Sequence, residues 1–279
     1  MDLGTRAEAF RELHTRPGIF AIPNPWDAGS AIALTQMGFA ALATTSAGLA
    51  YALGRADGHN AVSRAETLAN AAAIAAATPL PVSADLENGF GDSPDDCALT
   101  IRAAADAGLV GGSIEDATER GDEPIYALDA AVARVRAAVA AARALPFPFT
   151  LTARAENFLH GRPDLDDTIA RLVAFADVGA DVLFAPGLRA PGDIGAVVRA
   201  VAPKPVNVIM GLAGSPFTLA ELEALGVKRV SVGSSLARAA FGAFLRGARE
   251  IRERGSFAYA ADAVPYAEAN RMFAAERPA

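Results

Sequence analysis

The sequence predicts an α/β protein, a (β/α)8 barrel with an additional helix at its C-terminus. Eight short apolar runs of strand type recur along the 279 residues, and helix-like segments separate them. Such alternation is typical of a parallel sheet covered by helices, and eight units in this length fit a barrel. A doubly wound open sheet is the alternative, but no GxGxxG motif follows the first strand.

The predicted strands contain the Val, Ile, Phe and Thr residues that suit extended chains. They are 18–23, 40–45, 81–86, 111–116, 149–154, 181–186, 205–210 and 228–233. The predicted helices are 27–37, 63–76, 94–107, 127–143, 165–178, 190–200, 218–225, 234–253 and a final helix over 265–275. Because no Ser/Gly linker divides the chain, we expect one barrel domain over 1–279, with 257–279 as a C-terminal helical extension.

Composition limits the possible partners. The net charge is −7 and no stretch concentrates Lys and Arg, which argues against nucleic acid. The single cysteine, Cys97, permits no internal disulfide and fits a reducing compartment. The first residues lack the apolar core of a signal peptide, and the Ala-rich run at 71–77 is too short to cross a membrane. We therefore predict a cytoplasmic protein.

Acidic side chains follow three neighbouring strands of the predicted barrel, where active sites of this fold lie. They are Asp57, Asp85, Glu87, Glu115 and Asp116. Single strand-end acids often form salt bridges, but a convergent set would repel unless a cation joined it. Mg²⁺ prefers oxygen ligands, keeps several waters and takes one or two carboxylates directly. We interpret Asp85 as the direct ligand, with Asp57, Glu87 and Glu115 holding metal-bound waters.

Two further groups at the strand ends could bind an anion. Arg154 could clamp a carboxylate through two parallel hydrogen bonds, or it could form a salt bridge to Glu156 or Glu115. Ser46, with the backbone N–H groups of Ala47 and Gly48, could cradle an anionic oxygen, or could form a plain turn.

Taken together, several segments resemble the isocitrate lyase/phosphoenolpyruvate mutase superfamily. They appear in the family's order as 24–31 (NPWDAGSA), 44–58 (TTSAGLAYALGRADG), 83–92 (SADLENGFGD), 113–116 (SIED), 153–157 (ARAEN), 206–208 (VNV) and 222–240. The SIED segment and the acid-x-acid-x-Gly-aromatic-Gly turn are the most specific of these.

The resemblance implies a barrel whose last helix is exchanged between subunits, in dimers or tetramers, with Mg²⁺ or Mn²⁺ as cofactor. It implies a small 2-oxo or 2-hydroxy carboxylate, or a phosphonate analogue, as substrate. The matched metal residues are Asp85, Asp57, Glu87 and Glu115, and the predicted catalytic residues are Arg154, Glu115 and Asp57. The matched substrate-binding residues are Trp26, Asp27, Ser46, Ala47, Gly48, Arg154 and Asn207.

This sequence also departs from the family pattern. The loop at 116–126 (DATERGDEPIY) lacks the cysteine that serves isocitrate and methylisocitrate lyases as general acid, and 184–187 (FAPG) lacks their strand-6 glutamate. Cys97 lies inside a predicted helix as a small buried residue. His59, His160 and Tyr126 are candidates for the proton-transferring group, although a surface or packing role is the favoured interpretation for each.

The predicted function is therefore a Mg²⁺-dependent lyase that acts on a small 2-oxo or 2-hydroxy (di)carboxylate through a metal-stabilised enolate, by C–C cleavage or decarboxylation. Three alternatives stay open. One is a barrel that binds a keto acid without turnover, and another is phosphonomutase chemistry at a P–C bond. The third takes 211–216 (GLAGSP) and 231–235 (SVGSS) as phosphate cradles for a sugar phosphate.

Overall fold

A computed structural model describes residues 2–58, 61–118, 120–211 and 217–274. Eight parallel strands form one sheet in the order β1-β8-β7-β6-β5-β4-β3-β2. They are β1 (Phe20–Ile22), β2 (Leu42–Ala43), β3 (Val82–Asp85), β4 (Gly111–Glu115), β5 (Thr150–Arg154), β6 (Val182–Phe184), β7 (Val206–Ile209) and β8 (Arg229–Ser231). Each lies within a predicted run, so the predicted barrel is confirmed.

Helices cover the outside of this barrel. They are α1 (Leu3–Thr15), α2 (Ala28–Gln36), α3 (Ser46–Ala52), α4 (Arg64–Ala76), α5 (Pro94–Asp106), α6 (Leu128–Arg143), α7 (Leu165–Asp177), α8 (Pro191–Val201), α9 (Leu219–Ala224), α10 (Ser235–Arg254) and α11 (Tyr266–Phe273). A 3₁₀ turn, Ala258–Asp262, precedes α11. All nine predicted helices are present, and α1 and α3 are additional. Their caps are Asp2 and Thr45, which accept N–H groups of Thr5 and Gly48.

The two ends of the sheet meet between β1 and β2. The N–H of Ala43 donates to the carbonyl of Pro23 at 3.1 Å. Beside it, the Asn24 side chain donates to the carbonyl of Thr44 at 2.9 Å and accepts the N–H groups of Val232 and Gly233, each at 2.9 Å. One amide therefore links the loops that follow β1, β2 and β8.

The N-terminal ends of the strands are covered by α1. Phe10 and Leu13 form a buried cluster with Phe20 and Val110 from the strand starts. His14 lies between the rings of Phe10 and Phe20, with centroids 4.8 and 5.1 Å away. This helix, which the sequence analysis did not predict, closes the bottom of the barrel.

The environment of His14 predicts acid-sensitive stability. Its Nδ1–H donates to the carbonyl of Phe10 at 2.8 Å, and its Nε2 lies 3.2 Å from the Arg229 guanidinium. Burial, together with the charge of Arg229, lowers the pKa of His14 to about 3. An unfolded histidine has a pKa of about 6.5, so the unfolded state binds the proton first as the pH falls. The contribution of His14 to the free energy of unfolding is therefore complete above about pH 6.5. It is lost as the pH falls from about 6.5 to about 3.

Between pH 7 and pH 5 we expect His14 to lower the free energy of unfolding by about 2 kcal/mol. A His14→Gln variant lacks the titrating ring and should lose this part of the pH dependence. Urea unfolding of both proteins at the two pH values measures the difference. Equal pH dependence in the two proteins would contradict a ring kept neutral by the fold.

The C-terminal elements lie outside the barrel. The long helix α10 ends at Arg254 and is followed by Gly255, whose φ of 61° is left-handed. The chain then returns through the 3₁₀ turn to α11. This last helix contacts α2, where the Gln36 side chain donates to the carbonyl of Met272 at 2.6 Å. Four properties stay predictions: the exchange of this extension between subunits, the oligomeric state, the single-domain organisation over 1–279 and the cytoplasmic location. Within the described ranges, no helix combines the length and apolar character needed to span a membrane.

Candidate active site

A cavity of about 280 Å³ opens at the C-terminal ends of the strands. Every strand contributes at least one lining residue, as expected for the catalytic face of a (β/α)8 barrel. The polar side chains that line it include Asn24, Ser46, Asp57, Asp85, Ser113, Thr152, Arg154, Asn207, Arg229 and Ser231.

Asp85 ends β3 and faces this cavity. Its Oδ2 accepts the hydroxyl and N–H of Ser46 at 2.9 and 3.3 Å. Its Oδ1 accepts Arg154 at 2.9 Å and the Ser113 hydroxyl at 3.4 Å. The backbone N–H of Asp85 donates to Thr44 at 3.0 Å, which connects the ends of β2 and β3. The carboxylate predicted as the direct metal ligand is therefore held on both oxygens by side chains from three other strand ends.

Arg154 ends β5, and its guanidinium contacts three carboxylates. Its Nε donates to Glu156 at 2.8 Å, while its two terminal nitrogens reach Asp85 at 2.9 Å and Glu115 at 3.0 Å. The sequence analysis set a carboxylate clamp against a salt bridge for this residue. The salt bridges are present, and because Arg154 also lines the cavity, its remaining N–H groups can still serve a ligand.

Negative charge exceeds positive charge around Arg154. Burial raises the pKa of Glu115 well above its usual range, and the neighbouring carboxylates raise it further, while Arg154 opposes both effects. Burial likewise raises the pKa of Glu156. For Arg154, burial disfavours the charge, but Glu115, Glu156 and Asp85 outweigh it and raise the pKa. Three carboxylates therefore share one guanidinium, and of these Glu156 is buried while Asp85 and Glu115 are partly buried.

Asp116 does not join this group at the cavity. Its Oδ1 accepts the backbone N–H of Glu156 at 2.8 Å and its Oδ2 accepts Arg171 at 3.0 Å. Arg171 is fixed in turn by Asp167 at 2.7 Å. Of the five strand-end acids, Asp57 and Asp85 line the cavity, whereas Glu87, Glu115 and Asp116 do not. Asp116 holds the chain after β5 from behind.

The turn after β3 carries two residues with left-handed backbone. Glu87 has φ 47° and Phe90 has φ 58°, values that side chains other than glycine rarely adopt. Arg64 donates to the carbonyls of Gly89 and Phe90 at 3.0 and 3.2 Å, and the buried Arg134 donates to the carbonyl of Asn88. Two arginines therefore fix the turn that presents Glu87.

Cys97 lies beneath the same turn and is fully buried. Burial raises the pKa of its thiol to about 11. A thiol in this state is a poor nucleophile or acid at neutral pH, which confirms its interpretation as a packing residue.

The predicted anion cradle after β2 differs from expectation. Ser46 and Ala47 line the cavity, but the N–H of Gly48 donates to Thr45 at 3.2 Å as part of the helix cap. Ser46 directs both of its donors to Asp85. In the structure these residues form the first turn of α3, and its cap, Thr45, uses one of the expected donors.

Trp26 and Asp27 lie outside the lining of the cavity. Asp27 caps α2, accepting the N–H and the hydroxyl of Ser30, each at 2.7 Å. Trp26 lines a separate apolar groove with Gly48 and Phe241. The Asp27-x-x-Ser30 spacing is a capping pattern that the sequence alone could have revealed.

The β7 asparagine forms part of a buried network. Asn207 accepts the Arg229 guanidinium at 2.8 Å and donates to the Ser231 hydroxyl at 2.9 Å. Arg229 was missed from the sequence, although a lone arginine inside a predicted barrel strand was a usable signal.

The side chains considered for proton transfer lie elsewhere. Tyr126 donates to Asp92 at 2.5 Å, and burial raises the pKa of its phenol. Neither Tyr126 nor His160 lines the cavity. His59 falls outside the described residues, as do 212–216 of the suggested phosphate cradle.

The acidic side chains of the site can be compared with the ligands that a divalent cation requires. Across the described ranges, no three Asp, Glu, His or Cys side chains are grouped tightly enough to enclose a metal ion. Mg²⁺ needs no such cage, since it binds through one or two carboxylates and several waters. The oxygen ligands present and the excess of carboxylates around Arg154 fit a hydrated divalent cation. The assignment of Asp85 as its direct ligand, with Asp57, Glu87 and Glu115 holding its waters, stays a prediction.

Comparison with known proteins connects this geometry to a family. The sequence model named phosphoenolpyruvate phosphomutase matches residues 10–252. A protein of Mycobacterium tuberculosis (strain H37Rv) of uncharacterized function is 35% identical over 93% of this chain and 94% of its own length. A probable 2-methylisocitrate lyase of Corynebacterium glutamicum is 28% identical over 92% of this chain and 85% of its own.

Solved structures agree with the sequence match. A protein of Burkholderia cenocepacia J2315, provisionally named a lyase/mutase, has 64% identity and a TM-score of 0.95 over 98% of this chain and 97% of its own. Oxaloacetate acetylhydrolase in complex with oxalate has 28% identity and a TM-score of 0.86 over 98% and 94%. The chain belongs to the phosphoenolpyruvate phosphomutase family, within the isocitrate lyase/phosphoenolpyruvate mutase superfamily of lyases and mutases that act on small keto acids.

Proposed function

We propose that the chain is a divalent-metal-dependent carbon–carbon lyase for a small 2-oxo or 2-hydroxy dicarboxylate. The observation that carries this proposal is the contact between Asp85 and Arg154 on the wall of one cavity, at 2.9 Å. The carboxylate suits a hard cation and the guanidinium suits an organic carboxylate. A 2-oxo acid presents the complementary pair, a carbonyl oxygen beside a carboxylate.

The size of the cavity supports a small substrate. Its volume of about 280 Å³ lies below the usual range for drug-sized ligands. Apolar walls from Leu159, Phe184 and Ile209 would limit access of water to the reacting carbons. A four- or five-carbon acid suits these dimensions.

The chain's own residues would bind and orient the substrate. Glu115 and Glu156 hold the Arg154 fork in one orientation, and each terminal nitrogen of Arg154 keeps a second N–H for a substrate carboxylate. Asp57 lines the cavity and would take up or deliver a proton at its carboxylate. A bound Mg²⁺ or Mn²⁺ would supply Lewis-acid stabilisation of the negative charge that develops on the substrate carbonyl oxygen.

The relatives support the dicarboxylate class. Oxaloacetate and 2-methylisocitrate, the substrates in two relatives' names, are both small polycarboxylates. Within this class we leave C–C cleavage and decarboxylation as the two reaction types, because both develop charge on the same oxygen.

Proton and phosphorus NMR of the purified protein with Mg²⁺ tests the proposal. The panel holds oxaloacetate, 2-oxoglutarate, substituted malates, methylisocitrate and phosphonopyruvate. We expect the loss of one carboxylic acid above a metal-only control, and we expect EDTA to stop it. Metal-dependent line broadening without loss would instead indicate a binding protein. Conversion of phosphonopyruvate alone would indicate phosphonomutase chemistry.

A further inference from the structure

The floor of the cavity contains a buried guanidinium without an acidic partner. Arg229 begins β8, is 5% exposed, and lines the same cavity as Asp85 and Arg154. Its hydrogen-bond partners are Asn207 Oδ1 at 2.8 Å, Thr152 Oγ1 at 2.9 Å and His14 Nε2 at 3.2 Å. All three partners are neutral. Among the described side chains, no Asp or Glu forms an ion pair with it.

Other buried arginines of the chain are compensated. Arg154 and Arg171 are paired with carboxylates, and Arg134 donates to a row of backbone carbonyls away from the cavity. Burial of a charge is unfavourable unless it is paired, so an unpaired guanidinium facing a cavity needs an explanation. Burial lowers the pKa of Arg229 to about 9, which leaves it cationic at neutral pH.

The position of Arg229 gives that explanation. It is opposite Asn207 in the β7–β8 register, and it bonds Thr152, two residues before Arg154 in β5. The two guanidinium groups therefore lie at successive depths of one cavity. Three of the five N–H groups of Arg229 are used, and one on each terminal nitrogen is left.

We propose that Arg229 forms a second anion subsite, which binds the distal carboxylate of the substrate while Arg154 binds the proximal one. The inference rests on the proposed function and names the residue that recognises the second carboxylate of the dicarboxylate substrate. Asn207 and Thr152 hold the guanidinium in place, and the ligand carboxylate supplies its missing counter-charge.

Calorimetric titration in the presence of Mg²⁺ tests this subsite with two acids of equal carbon number, malonate and propionate. We expect wild-type protein to bind malonate at least tenfold more tightly. Arg229→Gln should weaken the affinity for malonate at least tenfold and change the affinity for propionate less than threefold. Lys228→Gln removes the same charge one residue earlier, from a side chain that bonds the carbonyl of Gly18, and should leave both affinities unchanged.

Arg229→Lys covers the case in which the glutamine variant does not fold by circular dichroism. The lysine ammonium keeps the charge but lacks the guanidinium fork. The affinity for malonate should therefore weaken about three- to tenfold, and the affinity for propionate should stay within about twofold of wild type. An equal loss of affinity for both acids would make Arg229 a structural residue. The subsite would be overturned if the variants kept the wild-type affinity for malonate, or if the wild-type protein showed no preference for malonate. An absence of turnover in the NMR panel would refute the lyase alone, because these titrations measure binding only.

Discussion

Replacing Asp85 with alanine should reduce turnover by about 10²–10³-fold, as expected when a main electrostatic stabiliser of a transition state is lost. Mg²⁺ affinity should fall by at least about 100-fold, since loss of even an outer partner of a metal site costs 10–100-fold. The fold should persist because Arg154 keeps two other carboxylates, Glu115 and Glu156. Metal titration by calorimetry and a turnover assay measure the two effects.

Asp106→Ala is the matched control for this variant. Asp106 is exposed at the end of α5, so its removal changes the net charge equally without touching the cavity. Unchanged Mg²⁺ affinity in Asp85→Ala would refute the metal assignment. Lost affinity with full turnover would separate the metal from the reaction.

Arg154→Lys should raise KM by about 10–100-fold and lower kcat as well. A single ammonium cannot replace the fork that reaches Asp85, Glu115 and Glu156 within 3.0 Å. Hydrogen bonds to charged groups contribute about 1.5–3 kcal/mol each, which gives this range for the loss of one substrate contact. Steady-state kinetics on the acid identified by NMR provide the measurement.

Arg162→Lys provides the comparison, because Arg162 is exposed on the loop after β5. It should keep both kinetic constants. A normal KM in Arg154→Lys, combined with a lowered melting temperature, would restrict Arg154 to a structural role between the three carboxylates.

The barrel could be predicted because its signals are local. Each strand is a short apolar run, and residues such as Gly38 and Gly108, with φ of 83° and 87°, mark the change from helix to strand. The positions of Asp85 and Arg154 followed from the rule that strand ends share one face. Helix α1 was missed because the alternation of strands and helices predicts each helix after a strand, and α1 precedes β1.

The pairing of side chains within the site could not be predicted in the same way. Whether Asp116 points to the cavity or to Arg171 depends on a side chain of α7 that lies 55 residues later in the chain, which strand-end rules do not include. For Arg154, the sequence indicated Glu115 and Glu156 as alternative salt-bridge partners, but it did not indicate Asp85 or that all three pair at once. Arg229 lies in an apolar strand, and its lack of an acidic partner is visible only in three dimensions.

The left-handed backbone at Glu87 has a consequence for protein engineering. A side chain in that conformation costs about 1 kcal/mol or more, and glycine would relieve it. Selection for thermal stability alone would therefore favour glycine at residue 87 and remove a carboxylate proposed to hold metal-bound water. Stabilised variants of this barrel should be chosen with residue 87 held constant.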